Sequence, residues 1–456
     1  MPHSKTIYCN VHREYMSWNP HLLQIIDTPE FQRLRNIKQL GVCHYVFPGA
    51  THTRFAHSLG TGYLAELFVQ TLLRNQPGCL LRKKIKDNTD LPEGPEGTEV
   101  SEEPEDTPES VTQIFKLAGL CHDLGHGPLS HGFDLFLSQM NSQHISISTV
   151  HEERSIALLR YIIKKYDIPI SPLYIDAACE LILPPEDTHK RKLPTCWYSI
   201  ISSLIDVDKL DYLQRDSMMV GIPSCGVEIR RFFEYARVYD GVICFSDKLR
   251  VDVHQLFMSR HRLHVQVYQH PVVRALEHMH IDFLITIKEC IIHNYTSNLK
   301  HFCNLTDTIF SDEFLEIQYM KGTITDAQKR TAKEILHRIH KRQLYTLMDE
   351  VHCSRRSESE SETETETSIQ QISFQQYPWL VFDHVRIGYR INPVFAIRFF
   401  NPEKKEPYFL TPNTSSLTFP LHALDTWYRI YSKKKVHSTQ EQHQITKICT
   451  FLKTTL

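Results

Sequence analysis

The sequence predicts a mainly α-helical fold with a smaller α+β lobe toward the C-terminal end. Three observations carry that expectation. Apolar residues recur at three- and four-residue steps through most of the first 300 positions, as one buried helix face requires. Strand-like runs, rich in aromatic and β-branched residues beside a proline, come only late. Two segments between the periodic stretches lack the apolar surface that would offset the entropy of ordering them.

Taken in order, HLLQIIDTPEFQRLRNIKQL (21–40) reads as helix, with Thr28-Pro29 as an N-cap and a first-turn proline. FAHSLGTGYLAELFVQTLLRN (55–75) repeats the pattern. Ten acidic residues then fall between Asp87 and Glu109, among prolines and glycines and with no aromatic, so about 83–111 reads as a disordered, solvated insertion. TQIFKLAGLCHD (112–123) is an apolar helix that GHGP breaks. ERSIALLRYIIKKY (153–166), SIISSLIDVDKLDYLQRD (199–216) and MHIDFLITIKECIIHN (279–294) are further helices. The Ser/Thr/Glu tract SRRSESESETETETS (354–368) is a second solvated loop, followed by the strand-like WLVFDHVRIGY (379–389) and VFAIRFF (394–400). The expected organisation is a helical core over 1–300 and a regulatory and oligomerisation lobe over 301–456, with no internal repeat.

Bulk composition narrows the function classes. With 51 basic and 53 acidic side chains the net charge is −2 and the isoelectric point lies near 7. Such a balance gives no global argument for nucleic-acid or membrane binding, although a local basic patch would not show in it. The twelve cysteines form no CxxC pair and no regular framework, so they read as reduced thiols rather than a zinc ribbon or a disulfide scaffold. MPHSKTIYCN has no signal-peptide core, and no run of about 18 apolar residues occurs. The expectation is a soluble intracellular protein without membrane contact; SKKK (432–435) is too short to choose between nucleus and cytoplasm.

Chemistry concentrates in LAGLCHDLGHGPLSH (117–131). His122 and Asp123, side by side at a helix end, offer one imidazole nitrogen and one carboxylate oxygen to the same cation. Two ligands do not hold a catalytic metal. HTRFAHSLG supplies His57 on another helix, close to Arg54, and DVDKLDYLQRD places Asp206, Asp208, Asp211 and Asp216 on a helix otherwise rich in Leu, Ile and Val. A lone HD dipeptide is common, and a DxD on an amphipathic helix is ordinarily a solvated face. The ordered set H…HD…D across three helices is what points to a metal.

That order is the pattern of the HD phosphohydrolase superfamily, whose His and Asp ligands bind a divalent metal in an all-helical HD-domain core. The resemblance is closer still. IIDTPEFQRLRNIKQLG, YVFPGATHTRFAHSLGTGYLA, LAGLCHDLGHGPLSHGFD, DVDKLDYLQRD and LHVQVYQH are similar to segments of the vertebrate dNTP triphosphohydrolases that carry a sterile alpha motif ahead of the HD domain. The similarity runs from about residue 5 to 350 and more weakly through the tail. No sterile alpha motif precedes Lys5 in this sequence, so the expectation is likeness to the catalytic part alone.

Position by position, the resemblance implies His57, His122, Asp123 and Asp208 as metal ligands. Two imidazoles and two carboxylates suit iron, manganese, zinc or nickel better than magnesium, which is expected instead on the nucleotide's triphosphate. His126 and His131 match histidines beside the metal, and His131 is the better placed to protonate the leaving 5′ oxygen. Asp134, His151 and Glu152 match the residues that support it. Arg54, Lys209 and Arg260 match phosphate contacts, and Gln39 and Asp216 match partners of the ribose 3′-hydroxyl. Leu40, Tyr212 and His264 belong to the same substrate-binding set. Tyr268 matches the aromatic that packs at C2′ and leaves no room for a 2′-hydroxyl, and Gln269 falls near the base. The implied reaction is dNTP + water → deoxynucleoside + triphosphate.

The same resemblance implies a guanine-nucleotide activator site, taking GTP, at Lys5, Asp27, Gln32, Arg35 and Arg342. An adjoining dNTP activator site retains Val46, Arg231, Lys248, His270 and Val272, but basic family positions are replaced by Ser246, Gln266, Pro271 and Thr346, and Tyr8 replaces a small polar residue. Missing cations cannot neutralise a second triphosphate, so GTP is expected to bind and stimulate while the dNTP-driven step is weak, replaced or unnecessary. The implied partners are dNTP, GTP, further copies of the chain in a homodimer or homotetramer, and single-stranded nucleic acid. Competing readings are an HD phosphodiesterase or nucleotidase for another nucleotide, and a nucleic-acid-binding scaffold that has kept the fold. Tyr268, Gln39 and Asp216 argue against the first, and the intact ligand set against the second.

Overall fold

The first described residues are strands, not helix. In the computed structural model, which describes residues 5–82, 106–140, 145–223, 227–353, 377–404, 406–412, 423–435 and 438–455, β1 (Lys5–Cys9) and β2 (Glu14–Trp18) form an antiparallel hairpin. Helices then dominate: α1 (Pro20–Ile26), α2 (Pro29–Gln32), α3 (Arg54–Asn75), α4 (Pro108–Cys121), α5 (His131–Ser138), α6 (His151–Lys165), α7 (Pro172–Ile182), α8 (Thr195–Ile201), α9 (Val207–Val220) and α10 (Ile229–Glu234). A second hairpin, β3 (Ala236–Tyr239) and β4 (Val242–Ser246), precedes α11 (Arg250–Leu263), a π-turn at His264–Tyr268, α12 (Pro271–Thr286), α13 (Lys288–Tyr295), α14 (Leu299–Phe302), α15 (Asp312–Met320) and α16 (Asp326–His340). The C-terminal strands are β5 (Thr346–Cys353), β6 (Leu380–Tyr389), β7 (Arg398–Phe400), β8 (Pro407–Phe409) and β9 (Ala423–Ser432), and α17 (Thr439–Thr455) follows. The fold is mainly α with a smaller α+β part, as the periodicity predicts.

Two sheets involve the C-terminal strands. β9 lies between β5 and β6, antiparallel to both, while β7 runs parallel to β4 and antiparallel to β8. One large apolar cluster extends from Cys9 to Tyr431. A small second cluster joins Leu380 and Ile430 to Ile445, Ile448 and Cys449 of α17. At the centre α3 and α4 approach so closely that a Cβ on Gly119 would sit 2.9 Å from the Thr61 carbonyl oxygen, and this brings the His57 and His122 rings together edge-on, 5.2 Å between centroids.

Several elements differ from the periodic reading. The 21–40 helix is cut in two, because the Thr28 side chain accepts from Phe31 N and starts α2, which tightens into a 3-10 turn at Arg33–Asn36. The 199–216 helix breaks at 202–206, where Asp206 accepts from Ser203 N and Lys209 N and so caps α9. The 279–294 helix breaks at Ile287, and 394–400 is half 3-10 turn (Pro393–Ala396) and half strand. The expected loop over 83–111 is too long at its end: Asp106 is paired with Arg82, and Thr107 caps α4 at Pro108. Its remainder, and the tract at 354–368, lie outside the described residues. No disulfide joins the described cysteines, and among the described residues no helix is long and apolar enough to cross a membrane.

Candidate active site

Three helix ends converge at the centre. α3 brings His57 in its first turn, α4 ends at His122 and Asp123, and α9 brings Asp208 in its first turn. His57 Nε2 lies 3.3 Å from His122 Nε2, 3.0 Å from Asp208 Oδ1 and 3.5 Å from Asp123 Oδ2. His122 Nε2 lies 3.4 Å from Asp123 Oδ1 and 3.5 Å from Asp208 Oδ1. The far nitrogen of each ring is occupied: His57 Nδ1 donates to Asp211 Oδ2 at 2.7 Å, and His122 Nδ1 donates to the Gly119 carbonyl at 2.8 Å. Such partners fix both rings in the tautomer whose Nε2 lone pair faces inward.

Two lone pairs meeting at 3.3 Å, flanked by two carboxylates, demand a positive charge, and this donor set fits a divalent ion with mixed nitrogen and oxygen ligands. The charge balance agrees. Where no cation is bound the cluster draws a proton instead: burial alone would neutralise His57, but hydrogen bonds to Asp208 and Asp211 outweigh it and push the ring up to about 10, so that Nε2 carries N–H until a cation displaces it. Burial would likewise raise the Asp123 carboxyl, yet Arg54, His122 and His126 hold it well below the usual carboxylate range.

The loop after Asp123 is clamped through its backbone. Arg33, buried beneath it, donates to the carbonyls of Leu124 (2.7 Å) and His126 (2.9 Å). Arg154 donates to Gly125 O at 2.8 Å, and Ser155 Oγ to His122 O at 2.6 Å. This holds His126 stacked on His151 (ring centroids 4.0 Å apart) and edge-on to His131 (4.9 Å). His131 Nδ1 is 3.8 Å from Asp134 Oδ2, and His151 Nδ1 is 3.1 Å from the same oxygen. His151 Nε2 lies 3.3 Å from Glu152 Oε1. Burial, then the charge of Arg54, keep His126 neutral, whereas Asp134 is held far below its ordinary value by His131 and His151 against its own burial.

A cavity of about 520 Å³ opens from the cluster. Leu40, Tyr212 and His131 line it, together with Arg54, Lys209 and Arg260. Arg54 already donates to Asp123 Oδ2 (2.5 Å) and Ser130 Oγ (3.0 Å), and Lys209 donates to Asp206 Oδ2 (2.6 Å) and Ser203 O (2.8 Å). At the other end Asp216 accepts from Tyr268 Oη at 2.6 Å and from His52 Nε2 at 2.7 Å. Burial, with Asp216 beside it, raises the Tyr268 phenol well above its ordinary value, so it stays a donor. Four buried polar atoms on the wall lack any partner: Gln39 Oε1, Arg260 Nε, His264 Nδ1 and Gln269 Oε1.

The ten residues expected at activator sites line none of this cavity. Lys5 Nζ is 3.8 Å from Asp27 Oδ2, and Arg35 Nε donates to Gln32 Oε1 at 2.7 Å while its guanidinium covers the Phe55 ring. Arg342 donates to Tyr45 O, next to Val46. Arg231 donates to Lys248 O, with both cations over the Tyr235 ring. His270 caps α12 through Val272 N. Of the replaced positions, Ser246 is fully buried at a turn, Pro271 opens α12, and Gln266 and Thr346 are exposed.

Sequence reasoning missed residues that brace the site, His12, Arg33, His52, Ser130 and Arg154, and the place of Asp211. Only Asp211 left a signal, three residues after Asp208 on the same apolar helix.

No family model matches the chain. Among curated proteins it is 30% identical over 427 residues to an HD domain-containing protein of Acanthamoeba polyphaga mimivirus, covering 90% of this chain and 88% of that one. The three helix ends and that likeness define an HD-domain protein. It is also 30% identical over 490 residues to the deoxynucleoside triphosphate triphosphohydrolase SAMHD1 of Bos taurus (93% of this chain, 74% of the relative), and 30% identical over 353 residues to the Dictyostelium discoideum SAMHD1 homolog (76% and 61%). The chain belongs to the SAMHD1 family of HD-domain proteins, and it spans about three fifths of the Dictyostelium relative's length.

Proposed function

We propose that this chain is a metal-dependent triphosphohydrolase that cleaves a dNTP to a deoxynucleoside and inorganic triphosphate, with guanine nucleotide as activator. The observation that carries the reading is one continuous cavity with a cation-demanding His/Asp cluster at one end and the Tyr268–Asp216–His52 chain at the other. The unpartnered Gln39, Arg260, His264 and Gln269 atoms give a polar ligand groups to satisfy along its length. The relatives' printed activity is the same reaction class.

His57, His122, Asp123 and Asp208 would hold the ion, with iron, manganese, zinc or nickel favoured by the two imidazoles. When bound, such an ion supplies Lewis-acid charge at the α-phosphoryl group and lowers the pKa of an attacking water. Arg260 has a free Nε to offer a phosphate oxygen, and Lys209 has one N–H beyond the two that it gives to Asp206 and Ser203. A magnesium-type ion would accompany the triphosphate. His131, the exposed member of its cluster (side chain 70% accessible), donates the proton to the leaving 5′ oxygen, and Asp134, kept ionised, steadies the imidazolium beforehand. Tyr268 closes the sugar face at C2′, and Gln39 and Asp216 take the 3′-hydroxyl. Lys5, Asp27, Gln32, Arg35 and Arg342 would take GTP and bias the chain toward homo-oligomers.

The test is metal content together with triphosphate release from dGTP. His122→Ala and Asp208→Ala should each lose the transition metal and lower triphosphate release by several orders of magnitude while keeping the helical circular dichroism. Full activity in metal-free Asp208→Ala protein would refute the reading.

A further inference from the structure

The tip of a hairpin ordinarily sits in water, and half of this one does not: Asn10 and Arg13 are exposed, but Val11 and the His12 side chain turn inward. β1 and β2 close at Cys9 and Glu14, so residues 10–13 form the turn, with Arg13 at φ +55°. Val11 is 5% exposed and the His12 side chain 5%. Behind them Met16 and Trp18 are buried, and the Lys116 ammonium lies 4.6 Å from the Trp18 ring centroid. A two-stranded ribbon is marginal on its own in water, so this one owes its shape to docking, and its docked tip carries an imidazole into the core.

That imidazole meets Asp211. His12 Nε2 donates to Asp211 Oδ1 at 2.6 Å. The same fully buried carboxylate accepts from His57 Nδ1 on Oδ2 and from the Arg215 fork on both oxygens, at 2.8 and 2.9 Å. Arg215 already neutralises the charge, so charge balance does not require His12. Arg215, however, lies one turn along the same helix and approaches from one side only. His12 approaches from a different element and fixes the direction of the Oδ1–Oδ2 axis, hence the direction in which Oδ2 holds the His57 ring.

We infer that His12 is a positioning residue: through Asp211 it aims His57 Nε2 at the ion, so the N-terminal hairpin is a working part of the metal site. Outer partners of this kind set how firmly a metal is held, since they orient the ligand and raise its basicity. The inference rests on the reading of His57, His122, Asp123 and Asp208 as a metal site.

The probe is zinc. Wild-type protein, His12→Ala, His12→Gln and His12→Asn are loaded with zinc, and its release to a chelating dye is followed, alongside thermal unfolding of each metal-stripped protein. His12→Ala should release zinc about 10–100-fold faster than wild type. His12→Gln, whose amide N–H can reach the same oxygen, should restore slow release, and the shorter His12→Asn should not. The Gln and Asn variants carry the comparison if His12→Ala does not fold. Equal release from all four proteins, or equally fast release from Gln and Asn variants of matched thermal stability, would overturn the role of His12. Failure of wild-type protein to bind stoichiometric zinc would instead overturn the metal-site reading beneath it.

Discussion

Replacing Gly60 by alanine separates helix propensity from site geometry. Gly60 lies inside α3, one turn after His57, where Gly→Ala ordinarily stabilises by about 1 kcal/mol. Here the added carbon would stand 1.9 Å from Asp211 Oδ1 and 2.5 Å from Arg215 Nη2. Asp211 must then retreat by more than an ångström, or α3 must move. The carboxylate is fully buried and receives four hydrogen bonds, from His12, His57 and twice from Arg215. Losing two of these charge-assisted bonds costs about 3–6 kcal/mol. A helix shift that kept them would cost about 1–3 kcal/mol as overpacking. Subtracting the propensity gain leaves a net loss of about 2–5 kcal/mol if Asp211 yields, together with a misaimed His57. The assay is guanidinium unfolding of metal-stripped Gly60→Ala and wild-type protein, with zinc content of each after loading. A variant as stable as wild type that keeps its zinc would show that Asp211 has room to move, and the argument for a rigid carboxylate would fail.

Three further outcomes are expected. At the sugar end, wild type should turn over dGTP and reject GTP, and Tyr268→Ala should narrow that gap, because a steric wall discriminates more sharply than an apolar pocket; equal turnover of the two nucleotides by wild type would refute the sugar gate. His280, buried and donating to Leu276 O, is lowered by burial to about 4. A depressed base is neutral when folded, so the unfolded chain takes up the proton first and stability falls as pH drops from about 6.5 to about 4, by up to about 3 kcal/mol; His280→Leu should flatten urea midpoints over that range, and an unchanged slope would assign the loss elsewhere. For control, each phosphate contact by a basic residue contributes roughly 1.5–3 kcal/mol, so cations missing at two of Ser246, Gln266, Pro271 and Thr346 would weaken a dNTP activator by on the order of a hundredfold or more. Light scattering should then show GTP alone shifting the oligomer, and tight tetramers that strictly need GTP plus a non-hydrolysable dNTP would refute that account.

What the sequence discloses depends on how far apart the cooperating residues lie. α3, α4 and α6 were legible because each shows its own apolar face, and the cluster of His57, His122, Asp123 and Asp208 because each of these residues sits in a short motif at a helix end. The two N-terminal and central hairpins were not, since KTIYC and ARVY are too short to separate from loop by periodicity, and they persist through docking. The breaks at 202–206 and at Thr28 follow from side chains that capture backbone N–H groups, an event that apolar spacing does not encode. The partners that brace the site were hidden for a topological reason: His12 and Asp211 are separated by 199 positions, His52 and Asp216 by 164, and Arg33 and the Leu124 carbonyl by 91. Asp211 falls between these cases. Its place three residues beyond Asp208 could be read directly, but an aspartate there is written the same way whether it faces water or His57. Only the packing of α9 on α3, against a residue with no side chain at Gly60, makes it the carboxylate on which the ring is hung.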